Sequence, residues 1–153
     1  MGIAYRIDKQ LGATLVMWAN VVTADAFLAH VQRLCADPEW PPPGRLHLCD
    51  LRSVSLDASL DDTVVAQAAA LYAGQRQKIE NMKVAIVAAE AFERAVVFER
   101  VLERAGAHVI VFNFLDTARK WLNLAADDVE PALVQLRKQL QGEATQARAR
   151  TRF

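Results

Sequence analysis

Apolar and polar positions along the chain change period several times, and each change marks an element. Two β-rich runs open it, IAYRID over residues 3–8 and LGATLVMW over residues 11–18, joined at Lys9-Gln10 with Gly12 at the edge. That pattern predicts a hairpin. Thr23 is a good N-cap, and behind it Phe27, Leu28, Val31 and Leu34 recur at helical spacing. The helix is predicted to end before Asp37-Pro38, because proline disfavours helical geometry at the preceding residue. Trp40 to Gly44, WPPPG, is a stiff loop.

Residues 45–60, RLHLCDLRSVSLDASL, form the stretch on which the rest is organised. Leu46, Leu48 and Leu51 predict a buried strand, and the acidic, Ser-rich run after it predicts a strand-to-helix turn. Ser59 or Asp57 is then the expected cap of a second helix running towards Arg76. Asp61 and Asp62 fall in its first turn, and Val64, Val65, Ala68, Leu71 and Tyr72 make up its buried stripe. KVAIVAA at 83–89 is a nearly continuous apolar run, as expected of a strand covered on both faces. A third helix is predicted over 90–105, with Phe92, Ala95, Val96, Phe98, Val101 and Leu102 inward and Gly106 as its stop. HVIVFNF at 108–114 is the last strand, and Asp116 is the expected cap of a short helix holding Ala118, Trp121 and Leu122.

Strand and helix alternate up to Leu122, which predicts right-handed parallel crossovers in one α/β domain. Residues 46–50, 84–88 and 109–112 are the expected adjacent parallel strands, with the hairpin adding an antiparallel edge strand. The domain is read as residues 1–140, including an added helix at 128–140. There Val129, Leu133, Leu136 and Leu140 form an apolar stripe, and Pro131 is tolerated in the first turn. The stripe can dock on its own sheet or on a second copy, and a homodimer with this helix at or near the interface is the expectation. Residues 141–153 are polar, Ala- and Arg-rich, and expected to be disordered.

Composition narrows the class more than the chemistry. The chain has 153 residues, 53% of them apolar and 24% charged, enough for one well-packed core. Lys+Arg and Asp+Glu balance at 18 each, so no overall field would gather nucleic acid. No apolar run approaches the ~20 residues of a membrane span. Cys35 and Cys49 lie far apart, and with no signal-peptide pattern a cytoplasmic setting with reduced thiols is expected.

The order of elements, the strand ending in CDLRSVSLDASL, the KVAIVA strand and the closing VFNFLDTARKWL together resemble the SpoIIAA-like, or STAS, family, in its bacterial single-domain branch. That branch is related in fold to CRAL-TRIO lipid-binding domains. The resemblance spans roughly residues 3–124, and its most specific pieces are the Asp-Leu-Arg at 50–52 and the Ala118, Trp121, Leu122 pattern. It implies a mixed sheet, mostly parallel, with helices packed mainly on one face. It also implies a non-enzymatic role in protein–protein regulation or ligand sensing, with no cofactor. Some members carry a phosphorylatable serine in an Asp-Ser-Ser-Gly turn. The comparable stretch here is Asp57-Ala58-Ser59-Leu60, with Ala58 and Leu60 in place of the first serine and the glycine. Asp50, Arg52, Asp57 and Ser59 are therefore the candidate phosphorylation or ligand turn, at the sheet edge where open α/β folds hold ligands.

Other chemistry is weaker. His30, His47 and His108 are scattered, and no spacing forces them into a metal site. Cys49 reads as a small buried hydrophobe, and Cys35, near the end of the first helix, has no base pattern beside it. No nucleophile elbow, phosphate-cradling glycine loop or dinucleotide fingerprint occurs. Trp18, Trp40 and Trp121 with Phe92, Phe98, Phe112 and Phe114 read first as core. If they lined a cavity, a small apolar or lipid-like ligand would be the partner instead of a protein.

Overall fold

A computed structural model describes residues 2–151. Its strands are β1 (Ile3–Asp8), β2 (Ala13–Val22), β3 (Leu46–Leu56), β4 (Lys83–Ala88) and β5 (His108–Phe112). Its helices are α1 (Ala24–Ala36), α2 (Asp62–Ala73), α3 (Arg76–Ile79), α4 (Phe92–Arg104), α5 (Leu115–Trp121) and α6 (Ala126–Thr151). The strands form one sheet in sequence order, β1-β2-β3-β4-β5. β1 is antiparallel to β2, and every other pair is parallel. This is the mixed, mostly parallel α/β sheet that the sequence predicts, with 46–50, 84–88 and 109–112 adjacent.

Strand alternation divides the core. Val16, Trp18, Leu51, Val54, Val84, Ile86 and Val109 face a layer made by α1, α2, α3 and α4. Ala13, Leu15, Met17, Leu48, Ala85 and Val87 face α5 and α6. β4 is apolar on both sides because it is covered on both sides.

Several local expectations shift. β2 runs on to Val22, and β3 runs on through Arg52 to Leu56, where a turn was expected. The two extensions pair with each other, Ala19 to Val22 against Ser53 to Leu56, past a register shift at Trp18. Pairing satisfies backbone groups that a turn would leave to water, and it overrides the polar composition of that run. Asp61, not Ser59 or Asp57, caps α2, its carboxylate accepting from the Val64 N–H at 3.1 Å. Thr23 caps α1 as expected, and Gly106 (φ +98°) ends α4 as expected, with the Ala107 N–H reaching back to the Leu102 carbonyl. Phe114 takes the cap position of α5, which leaves Asp116 in the first turn. On α4, Val97 rather than Val96 packs into the core.

α6 departs most from expectation. It begins two residues before 128, so Pro131 lies in its second turn, and it continues through Thr151, across residues expected to be disordered. The added turns are rich in Ala, Gln, Glu and Arg, all good helix formers, and they extend a helix already nucleated by packing. Residues 152 and 153 lie outside the described residues. Val129, Leu133, Leu136 and Leu140 are all buried, and they rest on the sheet of their own chain. The stripe expected near a dimer interface is therefore occupied internally.

Two close approaches hold the open ends. Gly12 (φ +67°) and Gly44 touch backbone to backbone, and a Cβ on Gly44 would fall 2.6 Å from the Gly12 carbonyl oxygen. The Arg45 guanidinium donates to the carbonyls of Lys78 (2.5 Å) and Glu80 (2.6 Å), closing the end of α3.

Leu136→Ala is expected to lower unfolding free energy by about 3 kcal/mol in urea titrations. Val134→Ala on the exposed side of the same helix should change it by less than about 0.5 kcal/mol. Equal small effects would show that α6 does not cover the sheet.

Candidate functional site

The four candidate residues separate into two pairs on opposite sides of the sheet edge. Asp50 is fully buried on the α5–α6 face between Met17 and Val87, its partners across the sheet. A carboxylate there needs a cation, because an unpaired buried charge is very costly. Arg52, two residues on and on the same face, supplies it as a fork: Nε to Oδ1 at 3.0 Å and Nη2 to Oδ2 at 2.9 Å. The Arg52 backbone N–H also donates to Oδ1 at 3.1 Å. The Asp50 hydrogen bond raises the Arg52 pKa above its ordinary value. Arg137 of α6 approaches the same carboxylate, its Nη2 at 3.9 Å from Oδ2. Sequence reasoning missed Arg137, although a basic residue flanked by Leu133, Leu136 and Leu140 on a buried stripe is a signal that something acidic lies beneath it.

Asp57 and Ser59 engage α1 instead. The Asp57 N–H donates to the Val22 carbonyl at 2.9 Å, which ties the turn to the end of β2. The Asp57 carboxylate accepts from the Ser59 N–H at 3.0 Å, and its hydrogen bonds with Ser59 hold its pKa below the usual carboxylate range. The exposed Ser59 hydroxyl accepts from the Ala24 N–H at 3.0 Å. Ser59 therefore satisfies the first free N–H of α1, a helix that starts 35 residues earlier, rather than one of α2. Leu60 is buried beside it and anchors the turn. Asp61 and Asp62 follow directly, and Asp62 pairs with Arg94 of α4. Ser53 and Ser55 are exposed along the strand leading to this turn. Chemically, the turn offers one accessible hydroxyl at the positive end of a helix, hydrogen-bonded to the Asp57 carboxylate.

The interior between the sheet and α1, α2 and α4 is aromatic. Tyr5, His30, Trp18, Phe27, Phe98, Tyr72, Trp40 and His47 form an unbroken chain of ring contacts, with centroids 5.2–6.5 Å apart. Two small cavities, of about 50 and 30 Å³, lie among these rings and share Trp18, Phe27, Cys49 and Phe98. The indole nitrogens of Trp18 and Trp40 and Nδ1 of His47 are buried there without a hydrogen-bond partner in the protein. Burial lowers the pKa of His30 to about 3 and that of His47 to about 4. For His30, the facing His47 and Arg33 lower it further. Burial, with Asp50 next in sequence, pushes the Cys49 thiol up to about 12, so the group is a neutral thiol and a poor nucleophile. His108 is exposed on β5. Among the described residues, no three His, Cys, Asp or Glu side chains gather into a metal-binding group.

The fold defines the class: an α/β protein with a mixed five-stranded sheet, β1 antiparallel and the rest parallel. Among the described residues no helix is long and apolar enough to cross a membrane. In comparisons with known proteins, no family model and no curated protein matches the chain.

Arg52→Ala, which strips the fork from Asp50, is expected to cost about 2 kcal/mol or more in chemical denaturation, with Arg137 and solvent limiting the loss. The histidines give a pH signature. Both are neutral in the fold, with pKa values below the unfolded 6.5. The unfolded chain therefore binds more protons below pH 6.5. Stability is full above that value and falls as pH drops towards about 4, by up to about 1.4 kcal/mol per pH unit for each histidine. His47→Gln should flatten this slope, and an unchanged slope would show that His47 is not buried neutral.

Proposed function

We propose that this chain is a non-enzymatic regulatory or protein-interaction module of STAS type. Its working surface is the turn between β3 and α2, and Ser59 is its modifiable residue. One observation carries the reading: the Ser59 hydroxyl is solvent-exposed yet bonded to the first N–H of α1. The expected structural duty of Ser59, capping α2, belongs to Asp61. A phosphate on Ser59 would meet the favourable N-terminus of α1 and the opposing charges of Asp57 and Asp61 together. Modification would thus re-set how the turn sits on α1, and a partner reading that surface would meet two different faces. The free thiols of Cys35 and Cys49 suit a cytoplasmic setting.

A second reading, a small-ligand binder, is favoured by the buried indole and imidazole nitrogens that find no partner in the protein. The cavities beside them are small, about 50 and 30 Å³, against the ~150 Å³ of an engineered cavity that accepts benzene. A lipid-like molecule would need α2 and α4 to part. The packing therefore supports the regulatory reading over the lipid-binding one.

The test is phosphopeptide mapping of protein from its native host, paired with affinity capture by Ser59→Ala and Ser59→Glu. Phosphate on Ser59 and different captured partners for the two variants are expected. An unmodified Ser59 together with identical partners would overturn the reading.

A further inference from the structure

We draw no further inference here: the strongest candidate, the exposed apolar edge along β5 with Ile110 and Phe114 beside a groove bordered by Glu103, Gly106 and Trp121, carries nothing, because nothing in the structure shows what covers it.

Discussion

The structure depends on covering both faces of one sheet. Leu15, Met17, Leu48 and Val87 point to one side with no accessible surface, and Val16 and Val22 do the same on the other. A sheet apolar on both faces has no stable two-layer form, because either face left open would put a continuous apolar surface into water. The crossovers α1, α2 and α4 all fall on one side, since each connects parallel neighbours taken in order with the same hand. The other side is left for whatever follows the last strand, and α5 and α6 take it. The C-terminal third of the chain is thus part of the core rather than an appendage to it.

That arrangement explains why a charge lies at the centre of the second face. Asp50 is paired with Val87 one residue before β4 ends, and beyond Leu51 the sheet narrows to the β2–β3 ribbon. Arg52 can fold back beside the ribbon and keep part of its guanidinium in water while its fork holds the carboxylate. Arg137 brings α6 to the same point. A hydrocarbon at position 50 would pack as well, so the pair is better understood as fixing the position of α6 along the sheet than as a source of net stability.

How much was legible in the sequence follows from the range of each interaction. The KVAIVA strand, the Thr23 cap and the Gly106 stop depend on neighbours a few residues away, and the sequence by itself determined them along with the α/β class. The stripe Val129, Leu133, Leu136 and Leu140 declared that it must be buried, but one stripe fits a sheet or a second helix equally well. Only the tertiary structure decided that it rests on Leu15, Met17 and Leu48. Ser53 to Leu56 look like a turn in isolation and become strand because β2 lies alongside to take their hydrogen bonds. Ser59 looks like the cap of the helix that follows it, yet its hydroxyl serves Ala24, 35 residues earlier, because the end of β3 runs beside the start of α1. In each of these cases the deciding partner is distant in the chain, and local pattern carries no information about which distant group will arrive.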